Sequence, residues 1–233
     1  MNDPRPQDDP FTHLVISRKR KKYKFAHFES YPNCFSYARG EDPKGVTVAL
    51  KPWTDDTKPL VLEIAAGNAQ FSMALARLHP EYNFIAVDIK SDRLYTSAKQ
   101  ALSEAVTNIT FVRMNMLELG TVFKPGTIDT IWLTFPDPFS RKRSIRRRLT
   151  HPQFLQIYSN LLIKKGQLKF KTDSKELFLW SLEQFVAEEW QMKELSFDLH
   201  ESNLTDDYKI MTYYESRFVA EEIPINYGTF SKS

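Results

Sequence analysis

LVLEIAAGNAQFSMALARLHPEYNFIAVDIK, residues 60–90, changes its hydrophobic period twice. LVLEIA (60–65) is a short apolar run ended by small residues, which reads as a buried strand. FSMALARLH (71–79) then places Phe71, Leu75 and Leu78 at helical spacing, and NFIAVDI (83–89) returns to a buried strand. A strand, a helix and a strand joined by short connections predict parallel strands with a crossover helix.

The same alternation extends outward from this unit. SDRLYTSAKQALSEA (91–105) predicts an amphipathic helix with a capping residue in front, ITFVR (109–113) and IDTIWLTF (128–135) predict strands, and Thr150 and Pro152 open a helix to about Ile163. GQLKFKTD (166–173) predicts a fifth strand and 175–189 another helix, while SFDL (196–199) and MTYYESRFVAE (211–221) read as final strands with no helix between them, hence an antiparallel edge pair. The fold class is therefore an α/β sandwich on a mostly parallel central sheet with an antiparallel C-terminal strand. Residues 1–57 lack such periodicity and read as a basic, partly disordered N-terminal extension ahead of one domain at 58–233.

Composition narrows the partners. No run approaches the roughly 18 apolar residues of a membrane span, and MNDPRPQDDPF has no apolar secretion core, so the expectation is a cytoplasmic protein without a membrane. One cysteine and five scattered histidines give no metal-ligand spacing, and no metal is expected. The net charge of +3 conceals a strong polarity. RKRKKYK (18–24) and RKRSIRRR (141–148) hold 12 of the 32 cations and no acid, leaving 20 cations against 29 acids elsewhere, about −9. Clustered Lys and Arg on an acidic body suit a polyanion, with nucleic acid the leading candidate, whereas a solvated loop is the plain alternative.

In an open α/β sheet the ligand lies beyond the carboxyl ends of the strands. Those ends carry Glu63 and Gly67 after the first strand, Asp88 after the second, Asn115 after the third, Asp137 after the fourth and Asp173 after the fifth. Gly67 precedes Asp88 by 21 residues, near the spacing between a glycine turn and a ribose-binding acid. A single glycine in that turn does not supply the close backbone approach a pyrophosphate needs. S-adenosylmethionine, an adenosine without phosphates, fits better, with Asp88 at its ribose and Glu63 near its methionine end. Each acid also has a plainer reading: Asp88 as partner of the next helix, Asn115 as a turn residue, and Asp173 as a capping box with Glu176. Asp137, clamped between Pro136 and Pro138, has few conformations and starts pre-organised.

FPDPFSRKRSIRRRLTHPQFL (135–155) resembles the signature segment of the bacterial tRNA (guanine-N7-)-methyltransferases, in which Phe-Pro-Asp-Pro-Trp leads into a Lys/Arg-rich stretch. EIAAG, AVDIK, FKTD, SFDLHESN and IMTYYE resemble that family in the same order, covering most of 60–217. The resemblance implies a Rossmann-like class I methyltransferase that methylates guanine N7 in the tRNA variable loop; a monomer and a homodimer are both open from the sequence. It further implies that Glu63, Asp88, Asn115 and Asp137 contact S-adenosylmethionine, with Asp137 catalytic. Arg141, Asp173, Thr212, Tyr213, Tyr214 and Glu215 would contact the substrate, and Lys142, Arg143, Arg146, Arg147 and Arg148 are expected on the tRNA backbone. Ala65 and Ala69 stand where the family has glycines, Phe139 where it has Trp, Ser140 where it has Pro and Ser144 where His is common. The rival from another class is a non-catalytic tRNA-binding protein on a degenerate methyltransferase scaffold.

Overall fold

The computed structural model describes residues 23–54 and 57–232. Its single sheet follows from the apolar runs: β1 (Cys34–Ser36), β2 (Leu60–Ile64), β3 (Asn83–Asp88), β4 (Ile109–Arg113), β5 (Ile128–Thr134), β6 (Leu162–Thr172), β7 (Gln191–Ser196) and β8 (Asn226–Ser231). They lie in the order β1-β4-β3-β2-β5-β6-β8-β7. The pairs from β1 through β6 are parallel, and β8 runs antiparallel to both β6 and β7. The direction of winding reverses between β2 and β5, which opens a crevice beyond their carboxyl ends.

Alternation along β2 assigns its side chains to two layers. Leu60, Leu62 and Ile64 join Phe170, Tyr158 and Phe178 on one face, while Val61 joins Phe71, Trp132 and Tyr227 on the other. Leu62 is fully buried, and burial of that kind stabilises by about 1.5–3 kcal/mol per aliphatic side chain. The longer helices are α1 (Gln70–Leu78), α2 (Ser91–Ser103), α3 (Pro152–Leu161), α4 (Lys175–Ala187) and α5 (Tyr213–Ala220). Phe71 and Leu75 of α1 point inward as their spacing predicts, but Leu78, the last residue of the helix, is 58% exposed.

Four departures from the sequence expectations have physical causes. MTYYESRFVAE is helical rather than extended, because Thr212 and Glu215 form a reciprocal capping box that satisfies two orphan amides at the start of α5. The last strand is instead NYGTFS, where a Cβ on Gly228 would lie 2.7 Å from the Phe230 ring. Phe230 stacks on Phe185 with ring centroids 3.7 Å apart, so the close approach at Gly228 is part of the packing. SFDL contributes only Ser196 to β7, and Cys34–Ser36, read as extension, adds an edge strand parallel to β4. Most of the first basic run, residues 18–22, lies outside the described residues. Among those described, no helix is long and apolar enough to cross a membrane.

Candidate active site

Between β2 and α1 the chain must reverse within five residues, and it does so through left-handed backbone at Ala65 (φ 56°), Gly67 (φ 56°) and Ala69 (φ 53°). Glycine adopts that conformation without steric cost and alanine does not, so Ala65 and Ala69 occupy strained positions. Neighbours hold the turn in place. The Ala66 amide donates to the Val87 carbonyl at 2.9 Å, the Gly67 amide to Asp88 Oδ2 at 2.9 Å, and Ser97 Oγ to the Asn68 carbonyl.

Asp88 is 3% exposed, and its Oδ1 also accepts from the Lys90 amide at 2.8 Å. Burial raises its pKa, opposed by these two amides and by the Arg93 charge. Each carboxylate oxygen keeps a lone pair beyond its single amide, which leaves acceptor capacity for a vicinal diol. Glu63 lies on the opposite face of β2 from Leu62, beneath α1. Its Oε2 accepts from the Ser72 amide at 3.2 Å and hydroxyl at 2.5 Å, and its Oε1 from Thr134 Oγ1 at 2.6 Å. Burial pushes the Glu63 carboxyl above the usual range despite these bonds.

At the end of β4, Asn115 caps a short 3₁₀ turn, with Oδ1 accepting from the Leu117 amide at 3.0 Å. Among the described residues nothing accepts from its amide NH₂, which is available as a donor. At the end of β5 the chain enters left-handed backbone at Phe135 (φ 48°), whose amide still donates to the Lys171 carbonyl at 2.9 Å, and again at Phe139 (φ 41°). Such geometry in bulky residues costs on the order of 1–3 kcal/mol each and concentrates at functional sites. Between these two bends sits Pro-Asp-Pro, with Asp137 exposed. Among the described residues no hydrogen bond or ion pair occupies the Asp137 carboxylate.

Asp88, Asn115 and Asp137 line one cleft of ≈ 410 Å³, whose mouth carries Arg146 and Arg147. Glu63, Gly67, Thr212 and Tyr214 line a smaller adjoining cavity of ≈ 70 Å³, and Ala65, Arg93 and Phe135 border both. The larger volume is within the range of small-molecule sites. The donor set fits a nucleoside: one acid for a diol, one amide for a base, and a turn with no run of glycine amides for phosphate. S-adenosylmethionine therefore fits these residues.

The other expected site residues are placed less uniformly. Tyr214 is 50% exposed beside Tyr213, whose amide donates to Gln70 Oε1 at 3.1 Å, so α5 is tied to the start of α1. Glu215 is fully buried: it accepts from Lys171 Nζ at 2.8 Å, lies 3.1 Å from His200 Nε2, and closes the Thr212 cap. Its carboxylate faces the interior, where it holds α5 to β6. Asp173 is half-buried at the end of β6 and lines neither cavity, and burial raises its pKa. The cap of α4 is Ser174, whose hydroxyl accepts from the Leu177 amide, so the capping-box reading of Asp173 is corrected.

Arg141, Lys142, Arg143, Arg146 and Arg147 are exposed, the last stacked over Phe139 at 4.4 Å. Arg148 departs from the expectation of a backbone-facing cation. It is 3% exposed, donates from Nε to the Pro138 carbonyl at 2.9 Å, pairs with Glu176 at 3.0 Å and lies 4.7 Å over the Trp180 ring. Its guanidinium faces inward and braces the Pro-Asp-Pro bend. Sequence reasoning also missed Lys171, Gln70 and Arg93. Lys171 could have been suspected as a cation inside an apolar strand, since a buried lysine requires a partner; the other two occupy ordinary helical positions.

A family model described as a putative methyltransferase matches residues 57–226. The chain is 39% identical over 163 residues to a protein of Brevibacillus brevis named tRNA (guanine-N(7)-)-methyltransferase, covering 70% of this chain and 76% of that one. A protein of the same name from Bacteroides fragilis is 34% identical over 219 residues, 91% of this chain and 85% of that one. Among solved structures, the 30S ribosomal A1408 methyltransferase from an uncultured bacterium superposes with a TM-score of 0.60 at 16% identity, covering 80% of this chain and 94% of that one. The 16S rRNA methyltransferase KamB gives 0.61 at 13% identity, with 78% and 91% covered. At such identities the likeness is one of fold: the class I methyltransferase sandwich.

Proposed function

The chain belongs to the tRNA (guanine-N(7)-)-methyltransferase family, and we infer that it transfers the methyl group of S-adenosylmethionine to N7 of a guanine in tRNA. The observation that carries this reading to the residues is the shared cleft, in which the proline-clamped Asp137 faces the same space as Asp88 and Asn115.

Bound in that cleft, S-adenosylmethionine supplies an electrophilic methyl group on a sulfonium. Asp88 would accept hydrogen bonds from the ribose hydroxyls, and the free Asn115 amide would donate to the adenine. Guanine N7 carries a lone pair and no proton, so positioning rather than general-base catalysis is required. The guanine gains positive charge as N7 is alkylated. Asp137 would stabilise that charge, or orient the base through its N1 and N2 donors, from a place fixed before the reaction. Arg146 and Arg147 at the mouth, with Arg141, Lys142 and Arg143 beyond, would hold phosphates while the base leaves its stack. Thr212 and Tyr214 would meet the base from the α5 side. A tRNA substrate is compatible with a cytoplasmic reaction.

The test is incubation of unmodified tRNA with labelled cofactor, followed by strand cleavage at N7-methylguanosine. Loss of a preorganised electrostatic group typically lowers turnover by about 10²–10³, and Asp137→Ala is expected to do so while still binding tRNA. Equal transfer by wild type and variant would sink the assignment of Asp137.

A further inference from the structure

Among the described residues, Arg93 is the one guanidinium that borders both the nucleoside cleft and the smaller cavity beside Glu63. It lies in the first turn of α2, five residues after Asp88, and is half-buried. Among the described residues no hydrogen bond or ion pair engages its guanidinium; its charge is felt by Asp88, whose two oxygens accept one amide each, from Gly67 and Lys90. A half-buried arginine with no carboxylate in direct hydrogen-bond contact loses hydration that a nearby charge alone does not restore. The planar fork with five donors is suited to a carboxylate.

The smaller cavity offers such an anion a place. It is lined by an acid, Glu63, by the Gly67 and Asn68 turn and by Gln70, with Arg93 at its junction to the larger cleft. One acid and one guanidinium around a small space match the ammonium and carboxylate of an α-amino acid. We propose that Arg93 binds the α-carboxylate of the cofactor's methionyl group, so that this protein selects S-adenosylmethionine over adenosyl sulfonium compounds lacking that carboxylate. The proposal rests on the S-adenosylmethionine reading of the cleft and adds a specificity determinant to it.

Calorimetric titration separates the roles without relying on turnover. Wild type, Arg93→Gln and Arg93→Lys are titrated with S-adenosylhomocysteine, which keeps the carboxylate, and with decarboxylated S-adenosylmethionine, which does not. A lost charge-assisted hydrogen bond weakens binding by about 10- to 100-fold, and Arg93→Gln is expected to lose that much for S-adenosylhomocysteine with no change for the decarboxylated ligand. Arg93→Lys, which retains charge but not the fork, falls between. Thermal unfolding of the ligand-free variants controls for folding. Equal losses for both ligands would overturn the proposal, because they would place the effect at Asp88 and the ribose or in the fold. Unchanged affinities would overturn it too. If wild type bound neither ligand, the cofactor reading itself would fall, and the proposal with it.

Discussion

Three alanines share nearly one backbone conformation and differ in burial, which makes the strain in the turn between β2 and α1 measurable. Ala65, Ala69 and Ala105 have φ of 56°, 53° and 55°; Ala105 is exposed, Ala65 intermediate and Ala69 fully buried. Replacement by glycine relieves about 1.5 kcal/mol of left-handed strain, and the freer unfolded chain takes back about 0.7 kcal/mol. A fully buried methyl contributes about 0.8 kcal/mol, and roughly half of that applies at Ala65. The expected stabilisation is therefore about 0.8 kcal/mol for Ala105→Gly, about 0.4 for Ala65→Gly and about zero for Ala69→Gly. Urea unfolding at constant m resolves these steps, and the first corresponds to about 2 °C in Tm for a chain of this size. A destabilised Ala105→Gly, or Ala69→Gly as the most stabilised of the three, would refute the reasoning.

Arg147→Ala should lower the salt slope of tRNA binding by about one, whereas Arg148→Met should leave the slope unchanged and lower stability by about 2–3 kcal/mol through its lost charge-assisted bond to Pro138; a flattened slope in Arg148→Met would contradict its inward placement. Lys171→Met strands the Glu215 carboxylate in the core and should cost about 3–5 kcal/mol, with Lys171→Met/Glu215→Leu recovering much of it, and a single-variant loss below about 1 kcal/mol would show that the pair is not buried as described. The raised pKa of Glu63 means that the folded protein binds more protons than the unfolded chain between the two values, so stability falls as pH rises through that interval. The stability of Glu63→Gln relative to wild type should accordingly grow with pH above about 4.3, the ordinary glutamate value, and a flat difference between the two in urea titrations from pH 4 to 8 would remove burial as the cause.

The parallel half of the fold was legible because β2 through β5 are largely apolar runs punctuated by turns, and a strand buried on both faces has little alternative. The C-terminal third was harder for a reason visible in single residues. Met211, Tyr213, Tyr214, Phe218 and Val219 have strand-like chemistry, and only the Thr212-x-x-Glu215 spacing announced a helix. β8 carries Gly228 in its middle, which reads as a break unless the Phe230 ring that fills its place is known. β1 is three residues long, too short for any period to register.

The site divides in the same way, between what the rim topology dictates and what distant contacts decide. Asp88, Asn115 and Asp137 line one cleft, with Glu63 in the adjoining cavity, because strand ends in an α/β sheet meet on one rim. Within RKRSIRRR, however, nothing in residue type separates Arg147 from Arg148. The difference comes from Glu176 and Trp180, 28 and 32 positions away in the sequence, which gather one guanidinium inward. The rigidity of Asp137 thus has two sources: the prolines on either side limit its backbone, and Arg148, through the Pro138 carbonyl, ties that backbone to α4. If the prolines alone fixed Asp137, Arg148→Met would lose stability but keep wild-type methyl transfer at temperatures where it remains folded. If the brace matters, turnover falls with the affinity for S-adenosylhomocysteine unchanged, and that split between rate and binding separates a positioning role from a merely structural one.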